Sequence, residues 1–396
     1  MEMYFPQAEY EARWKLVYDE LESRGYESAL VWGRSGGTYE RCGDLLYMTN
    51  FYSTQSGHEQ DTPIWSARAF NAAILANREA PDLYVDEADT PMDLIATDRI
   101  QWDVDTVAGV AKGLKARGLS GDVALVGWDF LPVKYFRQLE ELVPEITWHP
   151  EDDLVETVRH IKSPLELECY REAGVIATAG MDVLCEALLA GKTEAEAAGL
   201  SSAEIMRRGG SYDRFPLSHG DRMGYFQRNP LIGYSTDPVN DGDVFRAAVN
   251  GPIWQGYWLD PCRCGVTGNR PTDEQRNLIE GNARIVNETI AMIKPGVSVK
   301  ETARFAERLT DELSGGGLDQ GRQMWPIAGH GIGLFWEHPW IGSDIVTDDE
   351  VFHENMVLGI EGFLSDETIG SCSFEQNVIV TATGTELLTT TPMLFW

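Results

Sequence analysis

Residues 161–193 read IKSPLELECYREAGVIATAGMDVLCEALLAGKT, and the start of this stretch divides the chain. Ser163 is placed to cap a helix, Pro164 suits the first helical turn because its missing N–H would be unpaired there anyway, and Glu166 stands at the capping-box position. Upstream, residues 7–24 carry Tyr10, Trp14, Val17 and Leu21 at helical spacing with Gly25 as a stop, followed by the short apolar run SALVWG. A second short run, GDVALVGW at 121–128, and a helical pattern from Thr106 to Leu114 repeat that alternation. The spacing predicts an α/β domain over residues 1–155 and a second domain over 156–396. In the latter, Thr272 with Gln275 and Ser298 with Glu301 form two further capping boxes, and Lys294-Pro295-Gly296 ends the helix between them. Strands are predicted around 243–250, 253–260, 356–363 and 374–381.

With 396 residues and 43% hydrophobic content, the chain can build substantial cores. Its 32 basic and 63 acidic residues give a formal charge of −31, which repels phosphates and anionic lipid and argues against nucleic-acid or membrane partners. The same acidity is compatible with life at high salt. MEMYFPQAEYEARWK has neither the basic start nor the apolar core of a secretory signal, and no run of about 18 apolar residues predicts a spanning helix. Six cysteines in so long a chain do not suggest a disulfide scaffold. A cytoplasmic, reduced protein with a small-molecule substrate is the expectation.

Four residues raise the question of chemistry. Asp260 lies in GYWLDPCRCG, His330 in GHGIGLFWEHP, Glu361 in VLGIEGFL and Glu375 in CSFEQNVIV. Three carboxyl groups and an imidazole brought together favour either a bound divalent cation or a shared proton. Independent placement on a solvated surface is the competing reading, since most acidic residues are exposed.

The ordered set IKSPLELECYREA, GYWLDPCR, GHGIG, GIEGF, FEQNVIV and TGTELLTTTP resembles the creatinase, aminopeptidase P and methionine aminopeptidase superfamily. The resemblance implies an α/β N-terminal domain followed by an α+β pita-bread catalytic domain, commonly in a homodimer. It further implies that Asp260, His330, Glu361 and Glu375 are metal ligands, with Glu361 and Glu375 also catalytic. The family's first metal Asp has no counterpart: the expected D-x-G appears as Val249-Asn250-Gly251. One divalent Mn, Fe or Zn ion is therefore expected rather than two, with a metal-free site of creatinase type as the alternative.

Peptidase-type members follow GHGIG with H-E-x-P, which here becomes Trp336, Glu337, His338 and Pro339, and another family His corresponds to Gly233. These departures point to hydrolysis of a non-peptide C–N bond in a small polar or cationic molecule. An Xaa-Pro peptidase is one alternative, and an inactive peptide- or protein-binding module is another. A third arises because GHGIGLFWEHP and SHGDRMGYFQRNP resemble the dimethylsulfoniopropionate lyase branch, whose base corresponds to Trp336. His219 and His338 are candidates for proton transfer. Arg263, Trp336, Glu337 and Trp258 are candidates for substrate contact, Arg263 through a bidentate carboxylate bond and the indoles through cation–π attraction. Cys262 and Cys264 are read as packing residues.

Overall fold

The computed structural model describes residues 3–34, 42–53, 66–87, 89–224, 233–314 and 325–396, and its contacts separate two units, Met1–Arg159 and His160–Trp396. The first contains α1 (Gln7–Ser23), β1 (Ser28–Arg34), α2 (Gly43–Thr49), β2 (Phe70–Ala76), β3 (Asp82–Val85), β4 (Ile100–Trp102), α3 (Thr106–Ala116), β5 (Gly121–Val126), α4 (Val133–Leu142), β6 (Ile146–Pro150) and α5 (Leu154–Arg159). Its sheet runs β4-β3-β2-β1-β5-β6. The β1–β5 and β5–β6 pairs are parallel, while β1–β2 and β2–β3 are antiparallel. Parallel central strands buried on both faces need continuous apolar runs, which Ala29 to Trp32 and Val123 to Val126 supply.

The second unit begins with α6 (Pro164–Leu189) and α7 (Glu194–Arg207). Both halves of the Ser163–Glu166 capping box form, and Thr193–Glu196 forms another that the T-x-x-E spacing permits but the sequence reading passed over. Strands β7 (Leu217–His219), β8 (Val244–Ala248), β9 (Gly251–Trp254), β10 (Tyr257–Leu259) and β11 (Cys262–Val266) follow, then helices α8 (Asp273–Met292) and α9 (Val299–Leu313). The chain closes with β12 (Gly329–Ile332), β13 (Trp336–Trp340), β14 (Val357–Asp366), β15 (Gly370–Thr381), β16 (Gly384–Leu387) and β17 (Leu394–Phe395). The large sheet has the order β13-β12-β14-β15-β11-β8-β7, with β16 on β15 and β17 on β11. Leu278, Ile279, Ile285 and Val286 of α8 share its core with Leu358, Ile360, Phe374 and Val378.

Two local expectations are corrected. The single strand predicted over 253–260 is a β9–β10 hairpin, because Gln255 (φ 53°) and Gly256 (φ 86°) both take the left-handed conformation of a tight two-residue turn. The Ser298–Glu301 box is half made. Ser298 accepts the Glu301 N–H, but Glu301 turns its carboxylate to Arg304 at 2.6 Å. No helix among the described residues is long and apolar enough to cross a membrane.

Candidate metal centre

Sheet register brings the predicted ligands together. His330 on β12 lies opposite Gly359 on β14, and Glu361 on β14 lies directly opposite Glu375 on β15. Like charges facing each other across an antiparallel pair are destabilising, so this pair requires protons or a cation. Asp260 joins from the β10–β11 connection. Its Oδ1 accepts the Asn377 side-chain N–H at 2.8 Å, and its own backbone N–H donates to Asn377 Oδ1 at 3.2 Å.

The metal-ligating atoms of Asp260, His330 and Glu375 all lie within 4.8 Å of one another. His330 Nε2 is 3.6 Å from Asp260 Oδ2, 3.6 Å from Glu375 Oε1 and 3.9 Å from Glu361 Oε1. At Nδ1 the nearest acceptor is the Gly331 carbonyl, 3.0 Å away. A carbonyl only accepts, so that contact places the proton on Nδ1 and the lone pair on Nε2, facing the carboxylates. Glu375 Oε1 is buried without a hydrogen-bond partner among the described residues. A cation would supply the missing partner, and the mixed oxygen and nitrogen donors suit a first-row divalent ion. Three of the four predicted ligands thus form one group that can hold a metal. The fourth, Glu361, stands beside it with Oε1 engaged by the Trp325 indole N–H at 2.5 Å.

Glycines make this approach possible. A methyl on Gly359 would lie 2.5 Å from Glu375 Oε1 and 3.2 Å from His330 Cε1. Gly329, at φ 152°, passes so near β14 that a Cβ would meet the Gly359 carbonyl at 2.3 Å.

Electrostatics follow from burial and crowding. Burial pushes the Glu361 carboxyl up to about 8 against the opposing pull of the Trp325 N–H, and the Asp260 charge adds to the rise. Glu375 is raised well above the ordinary carboxylate range by burial first, then by Asp260 and Glu361.

The predicted substrate contacts fare differently. Trp336 reaches the centre, where its indole N–H donates to Asp260 Oδ2 at 2.6 Å and its ring lies 5.3 Å from the His330 ring. An indole N–H only donates, so Trp336 cannot replace the base of the lyase branch. Trp258 is buried and packs edge-to-face on Phe335 at 5.2 Å and on Trp336 at 6.5 Å. Arg263 is corrected to a structural role. Its Nη1 donates to the carbonyls of Glu375 (2.6 Å) and Cys262 (2.9 Å), Nη2 to Gln376 Oε1 (2.6 Å) and the Thr391 carbonyl (3.1 Å), and Nε to Pro392 (3.1 Å). No donor is left to orient a substrate carboxylate.

Glu337 is likewise removed from the substrate role, because it forms a buried ion pair with Lys162. His219 is buried against Glu194, Nδ1 to Oε1 2.8 Å, and His338 pairs with Glu350 at 2.5 Å while its ring rests 5.4 Å from His160. Neither appears in the metal-binding group. Cys262 and Cys264 each point Sγ at the Ser373 carbonyl from 3.3 Å, as packing residues do. Of SHGDRMGYFQRNP, residues 225–230 lie outside the described residues.

Asn377, which the sequence reading missed, follows Glu375 by two positions and therefore shares its sheet face. Asn377→Leu is expected to weaken metal binding roughly 10- to 100-fold, as loss of a partner that orients a ligand does. Titration of the metal-free protein with Mn or Zn checks this, and the fold should persist.

Residues 168–382 match the sequence model of metallopeptidase family M24. The chain is similar to an Xaa-Pro dipeptidase of Pyrococcus horikoshii, 25% identical over 323 residues that cover 80% of this chain and 86% of that protein. It is also similar to an Xaa-Pro dipeptidase of Pyrococcus furiosus, 27% identical over 243 residues that cover 61% of this chain and 66% of the relative. Among solved structures, the prolidase from Pyrococcus horikoshii superposes with a TM-score of 0.76 at 20% identity, over 96% of this chain and 99% of that one. The X-Pro aminopeptidase from Thermotoga maritima gives a TM-score of 0.76 at 20% identity, over 97% and 99%.

Proposed function

The chain belongs to metallopeptidase family M24, and from that premise we propose a metal-dependent hydrolase that cleaves the C–N bond of short Xaa-Pro-type peptides with one metal position. The observation that carries the reading is the buried convergence of Asp260, His330 and Glu375 on a single point. The named activities of the relatives support peptides as substrates over the non-peptide C–N bond expected from sequence.

Asp260, His330 and Glu375, with Glu361 adjoining, would hold a divalent Mn, Fe or Zn ion, which when bound would supply Lewis acidity to a substrate carbonyl and lower the pKa of water at the site. The chain's own groups do the rest. Asn377 holds Asp260 by accepting its backbone N–H and donating to its carboxylate, and the Gly331 carbonyl fixes the His330 tautomer. In the metal-free site burial pushes the Glu361 carboxyl up to about 8, and a cation held beside it would draw that proton off. As a carboxylate, Glu361 is the group suited to take a proton from the attacking water and pass it to the departing amine nitrogen. Trp325 orients the same carboxyl through Oε1.

One observation favours the second reading, a non-peptide C–N bond. Trp336 presents an indole to Asp260 where peptidase-type members place a substrate-binding His, and Trp325 and Trp340 add aromatic surface suited to a cationic group. Incubation with Gly-Pro and Ala-Pro, and separately with cationic amides and guanidino acids, distinguishes the two by the amine released. Peptide cleavage abolished by a chelator and restored by Mn, Fe or Zn supports the first reading. Cleavage of the second set alone transfers the assignment to non-peptide substrates.

A pH dependence follows. The raised carboxyls of Glu361 and Glu375 keep protons in the folded, metal-free protein that the unfolded chain has already released above its ordinary carboxylate range. Their contribution to stability is therefore fully present at acid pH and is lost as pH rises toward about 8, the value for Glu361. Metal binding needs the ionised forms, so it should release on the order of one proton at pH 6, and affinity should rise between pH 6 and 8. Calorimetric titrations in buffers of different ionisation enthalpy measure the release. Buffer-independent heats at pH 6 would contradict it.

A further inference from the structure

Two indole N–H groups are aimed into the carboxylate cluster. Trp336 Nε1 donates to Asp260 Oδ2 at 2.6 Å, and Trp325 Nε1 donates to Glu361 Oε1 at 2.5 Å. These are the same oxygens that face the imidazole, 3.6 Å and 3.9 Å from His330 Nε2. A carboxylate oxygen has two lone pairs, so a donor on each of them leaves one for a cation. The other oxygen of Asp260 is engaged as well, since Oδ1 accepts from Asn377 at 2.8 Å. By contrast Glu375 Oε1, the third oxygen facing His330, is buried with no hydrogen-bond partner among the described residues. Other rings hold the donors in place. Trp336 lies nearly parallel to Phe335 at 5.2 Å and meets Trp258 at 6.5 Å and Trp325 at 5.7 Å edge to face. Ring contacts of this kind favour particular orientations, so the N–H groups keep their aim.

We propose that Trp325 and Trp336 limit the centre to one cation, because their neutral N–H donors occupy the lone pairs that a second cation would draw on. The inference rests on the metal-centre reading for the first ion and on nothing in the choice of substrate. Charge makes a second ion the natural competitor. Asp260, Glu361 and Glu375, when ionised, carry one more negative charge than a single dication neutralises, and the excess attracts further cations. An indole N–H meets that excess with a dipole, and its bond to an ionised oxygen is about twice as strong as a bond between neutral groups. The indole nitrogen only donates, so it offers a metal nothing in exchange for the lone pair it holds. Removing both donors returns Asp260 Oδ2 and Glu361 Oε1 to the condition of Glu375 Oε1, open to a second ion.

The test counts ions, independent of turnover. The full chain is stripped with a chelator and dialysed to equilibrium against Mn, and the uptake of Asp260→Asn, which lacks a ligand, is subtracted as ions held by the acidic surface. The wild-type chain should take up one equivalent. Trp325→Phe combined with Trp336→Phe keeps aromatic rings, removes both donors, and should take up two equivalents, the second more weakly. Trp340→Phe alters an indole whose ring lies 5.7 Å from that of His330 but which bonds no carboxylate among the described residues, so uptake should stay at one. Circular dichroism establishes that each variant is folded, and if the double variant does not fold, Trp325→Phe and Trp336→Phe taken singly decide by the same second equivalent. Two equivalents in the wild-type chain, or one in the folded indole variants, overturns the inference and leaves the metal centre standing. No uptake by the wild-type chain removes the metal centre itself and the inference with it.

Discussion

Asp260→Asn is expected to abolish stoichiometric metal binding, lowering affinity by more than about 100-fold, since a ligand's loss should exceed that of a residue that merely orients one. The substitution keeps the shape of the side chain and removes its charge. The fully buried Asp260 lies 3.6 Å from His330 Nε2, and its negative charge is one of the forces raising both Glu361 and Glu375. Losing it relieves repulsion in the metal-free state, so the variant should be at least as stable as the parent without metal. It should also lose the rise in melting temperature that metal gives the parent. This pair of opposite signs separates a ligand from a merely structural aspartate. A variant that unfolds alike with and without metal, and starts below the parent, would argue for a structural role.

Glu337→Gln should be the most destabilising single change near the centre, by about 3–5 kcal/mol, because it leaves the buried Lys162 ammonium without its counter-charge. The side chains are 2% and 0% exposed, so water cannot take over. For a domain of this size the loss corresponds to a fall in melting temperature of roughly 10 °C. Replacing both partners together, Lys162→Met with Glu337→Leu, should recover most of the loss, since two apolar groups leave no charge stranded. Thermal unfolding of the single and double variants measures the coupling. A single variant as stable as the parent would mean that Glu337 is available for the substrate contact the sequence suggested.

The sequence carries its local instructions openly. Ser163 with Glu166 marks the start of the second unit's first helix, and the alternating apolar runs mark an α/β first unit, because caps and strand periodicity act over a few residues. The hairpin at Gln255-Gly256 was less legible, since a Gln in the left-handed conformation is not announced by its type. The centre itself is non-local. His330 meets Glu375 only through the β12–β14–β15 register, and no spacing in the chain encodes 3.6 Å. Motif resemblance supplied that convergence, and it also misdirected Arg263 and Glu337, whose charges are consumed by carbonyls and by Lys162. What decides such a residue is the set of partners folded around it, which one sequence does not display. Asn377 and the Trp325 indole, conversely, are site residues whose partners are visible only once the strands are paired.

The most direct test of the central claim is the anomalous signal from crystals of the protein grown with Mn. One peak per chain, within bonding distance of Asp260, His330 and Glu375, is the predicted result. Ordered side chains with no peak among them at saturating Mn, or two peaks of equal strength, would contradict a hydrolase built on one metal position.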